Sequence, residues 1–176
     1  WAIQGEGASS PFVRSVATTE GIVTGVFPEQ SGFWMQSVTP DQNPATSEGL
    51  FVLVASDVPS MPLSLGDQVL VTGKIREVSG QTLIYLETLE NLEVVKRDHV
   101  LPEAVELDPP QDEALSRAQY EALEGMLVAI TEPALVVAPT SKYGETALVR
   151  PSWGISRVMR GDELGMLMFV DDGSDA

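Results

Sequence analysis

The sequence predicts a mainly β protein, with a five-stranded barrel first and a smaller β unit with one short helix after it. Three observations carry this. The first hundred residues hold five apolar, β-branched runs separated by turn signals, with no long helical period between them. The first run is long and carries Gly21 and Gly25, as a strand bending round a small barrel requires. Beyond residue 98 come a proline-rich stretch, one helix signal and several short strand runs.

Taken in order, residues 13–27 are rich in Val, Thr and Ile. Residues 33–38 follow, and the two-residue strand period sets Phe33 and Met35 on one face, Trp34 and Gln36 on the other. Phe33 and Met35 are the expected core side. Residues 50–54 are almost wholly apolar and read as buried. Ser64-Leu65-Gly66-Asp67 is a turn that launches residues 68–78, and Ser79-Gly80 is a hairpin turn. Residues 82–95 read as one strand, with Leu83, Tyr85 and Glu87 opposite Ile84, Leu86 and Thr88. Five strands with a long curved first one predict a barrel of the OB type.

Pro102, Pro109 and Pro110 exclude a central strand and mark a boundary, so the expected domains are 1–98 and 99–176. Ser116 with Gln119 forms a capping box, Leu115 with Tyr120 a hydrophobic staple, and Gly125 a stop. The expected helix covers 117–124. Short strands are expected at 126–130, 135–137, 146–149 and 167–170, making a second, OB-like unit cut short at its C-terminus.

The chain has 176 residues, and 43% hydrophobic content is enough for a packed core. The absence of cysteine excludes disulfides and thiolate metal sites. No apolar run approaches the roughly 20 residues that span a membrane. The opening Trp1-Ala2-Ile3-Gln4-Gly5 lacks a signal peptide's basic start and apolar middle, so the chain reads as an excised or mature piece. Ten Lys and Arg against 26 Asp and Glu give a net charge of −16. That field repels polyanions and attracts cations and basic partners. A dedicated phosphate-gripping domain normally has the opposite balance.

Catalytic chemistry finds little footing. His99 is the one histidine, so Ser–His–Asp and histidine–metal constellations are disfavoured. There is no phosphate-cradling Gly-Lys-Ser/Thr loop, and Gly5-Glu6-Gly7 is too short for a dinucleotide fingerprint. Carboxylates are many, but no spacing selects a pair; no catalytic residue is assigned. The loop holding Asp41, Asn43 and Glu48 offers oxygen donors for a hard cation such as Ca²⁺. The same residues suit a chain of Asx turns. On the outer face of the second strand, Trp34 would stack a base or sugar and Gln36 would hydrogen-bond to it. Lys74 or Arg76 would then reach a phosphate. Alternatively, Trp34 packs against the rest of the chain.

An ordered series of short motifs carries a resemblance. Ile3-Gln4-Gly5-Glu6-Gly7, Val16 to Thr24, Gly32-Phe33-Trp34-Met35-Gln36 and Pro44 to Val52 come first. Gly66-Asp67-Gln68-Val69, Leu101-Pro102, Tyr120 to Val128, Tyr143-Gly144-Glu145 and Asp171-Asp172-Gly173-Ser174 follow. Together they resemble the non-catalytic OB-fold region that large bacterial extracellular nucleases carry ahead of an endonuclease/exonuclease/phosphatase domain. The resemblance implies an accessory module that positions nucleic acid, DNA or RNA, or the catalytic domain of its parent chain. It also implies export to the periplasm, cell surface or medium. No cofactor is expected in this fragment beyond the Ca²⁺ ion that the Asp41 loop could hold. The metal-binding acids and paired histidines of that catalytic domain have no counterpart here. Relatives have a more acidic loop where this chain has Asp41-Gln42-Asn43. A structural spacer packing on the nuclease domain, or a carbohydrate- or surface-binding module, are the alternative expectations.

Overall fold

The computed structural model describes residues 1–7, 9–55, 62–142, 144–159 and 167–171; Tyr143 and residues 172–174 of the motif series lie outside them. The chain forms two compact units. One comprises Trp1–Val105 with Glu121–Val128, the other Glu106–Tyr120 with Ala129–Ala176. Residues 99–105 and 121–128 thus group with the first unit, whereas the expected division fell at 98/99.

That unit is a closed barrel of β1 (Val16–Phe27), β2 (Gly32–Ser37), β3 (Gly49–Val54), β4 (Gln68–Val78) and β5 (Gln81–Leu86). Their order is β1-β2-β3-β5-β4, closed by β1 against β4, with β3 and β5 parallel and the other barrel pairs antiparallel. The architecture is mainly β and OB-like, as the sequence predicts. β1 closes the barrel by serving two partners. Residues 16–22 pair with β4 and residues 21–27 with β2, and the bulge between Val23 and Gly25 turns the strand. Val23, Phe33, Val52, Val69, Val71, Ile75, Ile84 and Leu86 are fully buried inside. Burial of each such side chain contributes roughly 1.5–3 kcal/mol.

Residues 82–95 are not one strand. β5 ends at Leu86, where its partner β3 also ends at Val54. A 3₁₀ turn at Leu89–Asn91 then redirects the chain into β6 (Leu92–Lys96), which pairs with the first half of β4. The ladder runs out of partners on one side and finds them on another. At the β4–β5 hairpin, Ser79 and Gly80 have φ of 55° and 83°, the paired left-handed conformation a two-residue turn needs.

In the second unit, β9 (Leu135–Val136), β10 (Glu145–Val149) and β11 (Met168–Asp171) form an antiparallel sheet. Val137, Ala147 and Val149 form its small core. A separate two-stranded ladder joins β7 (Val105–Glu106) to β8 (Val128–Ala129). Helix α1 spans Glu113–Ala122, four residues earlier at its start than expected. Asp112 is the reason: its Oδ1 accepts the Leu115 N–H at 3.0 Å, while Ser116 lies buried within the helix. Arg150, 4% exposed, ties the end of β10 to Asp108 (Nε–Oδ1 2.8 Å), Glu106 (Nη2–Oε1 3.2 Å) and the Leu107 carbonyl.

Candidate functional site on the outer face of the barrel

Since Phe33, Met35, Val52, Ile75 and Ile84 point inward, their strand neighbours form the outer face. Registers between strands place them in rows. One row runs Gly25, Trp34, Phe51, Leu83, Arg76 across β1, β2, β3, β5 and β4. The next runs Leu53, Tyr85, Lys74 and ends at Val16 on β1. Trp34 meets Phe51 at 4.9 Å between ring centroids, tilted by 58°, a favourable aromatic contact.

Residues 124–127 lie across the first row. Gln36 Oε1 accepts the Leu127 N–H at 2.9 Å, and Glu124 Oε1 accepts the Thr82 N–H at 3.0 Å. Ser47 Oγ donates to the Glu124 carbonyl at 2.5 Å. The approach is close because two glycines meet there. A Cβ on Gly49 would lie 2.5 Å from the Glu124 carbonyl oxygen, and one on Gly125 would lie 2.5 Å from Trp34 Cε3. In the same row Phe51 and Leu83 are 5% and 3% exposed.

The four expected contact residues therefore divide. Trp34 is partly buried and Gln36 almost wholly so, both engaged by residues 124–127. Lys74 is exposed, and Arg76 holds its guanidinium 3.6 Å over the Tyr85 ring. Three strand spacings, roughly 14 Å, separate the Trp34 column from Arg76. Beside Trp34 an open groove of about 180 Å³ remains, lined by Thr24, Phe27, Gly125 and Leu127. Phe27 and Tyr85 are aromatic residues to which the sequence reading gave no contact role. Each follows from strand alternation once the neighbouring core residue is fixed.

At the loop, Asp41 Oδ1 accepts the Asn43 N–H at 2.8 Å, and both its oxygens take the Thr46 hydroxyl. The Asn43 bond, aided by Thr46, holds the Asp41 carboxyl below its ordinary value. Asn43 Oδ1 accepts the Ala45 N–H at 3.1 Å, and Glu48 Oε1 the Asp41 N–H at 2.7 Å. This is the geometry of linked Asx turns, with the candidate cation donors engaged by backbone N–H groups. The second oxygen of buried Glu48 has no hydrogen-bond partner among the described residues, and the Trp1 ammonium is 3.7 Å from it. Among the described residues no group of three or more His, Asp or Glu side chains is placed to hold a metal ion.

His99 sets Nδ1 2.8 Å from the Val100 carbonyl oxygen. Burial pushes the Tyr120 phenol up to about 12, and its hydroxyl donates to the Leu167 carbonyl at 2.5 Å. Burial also raises the Glu124 carboxyl, against the Thr82 hydrogen bond. No helix among the described residues is long and apolar enough to cross a membrane. No family model matches the chain, and no curated protein matches it either.

Proposed function

We propose that this chain is a non-catalytic, OB-type accessory module of a secreted metal-dependent nuclease, holding nucleic acid or the catalytic domain in position. The observation that carries the reading is the filled outer face. OB barrels commonly take bases or sugars over strands 2 and 3, and here residues 124–127 of the same chain lie there. Trp34 and Gln36 then stabilise the module, and contact with other molecules falls to neighbouring surfaces. The ordered motif series supports the nuclease parentage and an extracellular or periplasmic place of work.

The open groove favours a second reading. Phe27, 41% exposed, and Trp34 would stack one base or sugar ring, making the module a nucleic-acid or carbohydrate binder in its own right. Trp34→Ala separates the two. The scaffold role predicts a loss of about 2–4 kcal/mol in stability, with the folded variant's affinity for labelled single-stranded DNA unchanged in fluorescence anisotropy. The stacking role predicts lost affinity in Phe27→Ala, whose exposed ring contributes little to folding. Cleavage of nucleic acid by this chain alone, in the presence of Mg²⁺, would overturn both.

A further inference from the structure

We propose that the outer corner of the barrel formed by Arg14, Lys74 and Arg76, with Tyr85 beneath Arg76, docks the phosphodiester backbone of a single-stranded nucleic acid. The inference rests on the accessory-module reading and names the surface by which such a module would hold its polyanion.

Backbone pairing brings the three cations together. Arg14 N–H donates to the Ile75 carbonyl and Ile75 N–H to the Ser15 carbonyl, both at 2.9 Å, so the turn that carries Arg14, itself at φ of 72°, is tied to β4 just beyond the Val16–Lys74 pair. Lys74 and Arg76 alternate with buried Ile75 and so stand on the outer face. With strands about 5 Å apart, the three lie within roughly one Debye length of each other, so their fields add.

The chain has a net charge of −16, yet among the described residues only three arginines are claimed by carboxylates, and Lys96 and Arg157, like the corner cations, are in no ion pair. Arg97 pairs with Asp67, Arg117 with Glu113, and Arg150 with Glu106 and Asp108. Among the described residues, none of Arg14, Lys74 and Arg76 makes an ion pair. The nearest carboxylate in sequence, Glu77, is engaged by Ser9, Ser10 and Thr82. Three like charges left together are mutually unfavourable, and an anion between them relieves the repulsion. Arg76 is also held in place. Stacked on Tyr85, its guanidinium loses little freedom when it meets a phosphate, and its planar fork suits that geometry. Phe12, two residues before Arg14 and 45% exposed, adds apolar surface of the kind on which single strands stack. The surrounding acidity limits the footprint to a short segment.

The test is anisotropy of a short fluorescein-labelled single-stranded oligodeoxynucleotide against the whole chain, across a salt series. Wild type should bind with a negative slope of log K on log salt. The variant Arg14→Gln/Lys74→Gln/Arg76→Gln, checked for folding by circular dichroism, should bind at least about tenfold more weakly, with a slope shallower by about 2, since each single-strand contact contributes about 0.7. If the triple variant fails to fold, Lys74→Gln alone should flatten the slope by about 0.7. Binding that survives with its slope intact overturns the corner and leaves the module reading standing. Binding of polyglutamate in place of the oligonucleotide, with the same dependence on these residues, overturns it in favour of an acidic protein partner. No salt-sensitive binding at all overturns it too, whereas turnover by the chain alone is what overturns the module.

Discussion

At the scale of single residues, the outer face depends on two that would be overlooked in a list of aromatic and charged side chains. Gly125 has φ of +69° and faces the Trp34 ring, so a methyl group there meets both an unfavourable backbone and an occupied space. Gly125→Ala should therefore cost about 2 kcal/mol or more, read as a lower urea midpoint; a midpoint equal to wild type would show that residues 124–127 do not seat on the ring. Glu124 acts in the opposite sense. Burial raises its carboxyl above 4.5, the Thr82 N–H opposes this, and Glu121 and Glu77 add to the rise. The folded chain thus holds this proton more tightly than the unfolded chain does. Its contribution is fully present below 4.5 and is lost as pH climbs through the raised value. Glu124→Gln keeps a carbonyl acceptor for the Thr82 N–H and removes the charge. The variant should match wild type in urea at low pH and exceed it at neutral pH. A gap that narrows as pH rises would contradict this sign, and because Glu124 is half exposed the gap should be small.

At the scale of elements, helix α1 shows how a local signal can be read one turn too late. Ser116 and Gln119 satisfy the capping-box pattern, yet Asp112 is the residue whose side chain meets a free N–H. Asp112→Ala should cost about 1 kcal/mol and speed amide exchange at Leu115; unchanged exchange there would place the cap elsewhere. The strands divide along the same line. Alternation put Phe33 and Met35 inside and Trp34 and Gln36 outside, because a two-residue period is written in neighbouring residues. Likewise Ser79-Gly80 announced its own turn. The break between β5 and β6 was hidden, since it depends on where β3 ends some thirty residues earlier. The same holds for the candidate site. The outward face of Trp34 and Gln36 was legible, while its occupant comes from about ninety residues downstream and from two glycines whose role exists only when they meet. Arg76 was legible as a cation, but its stack on Tyr85 required the β4–β5 register.

At the scale of the whole molecule, the barrel is discontinuous in sequence. Its strands end by Lys96, yet the unit is completed by residues 121–128, after an excursion into the second unit. A chain ending at Val105 would retain every barrel strand and lose the residues that lie against Trp34. It would leave the Gln36 carbonyl and Thr82 N–H without the partners they have here. Uncovering Trp34 and leaving two hydrogen-bonding groups without partners removes roughly 1–3 kcal/mol each, a large part of the 5–15 kcal/mol that holds a domain folded. The fragment 1–105 should therefore unfold at a markedly lower urea concentration than 1–128 and bind a hydrophobic dye that 1–128 does not. Equal midpoints for the two fragments would mean that residues 124–127 rest on the barrel without stabilising it. In that case the outer face of β2 and β3 would be available to a competing ligand at little cost, and Trp34 and Gln36 would regain the contact role that their position on an OB-like barrel first suggested.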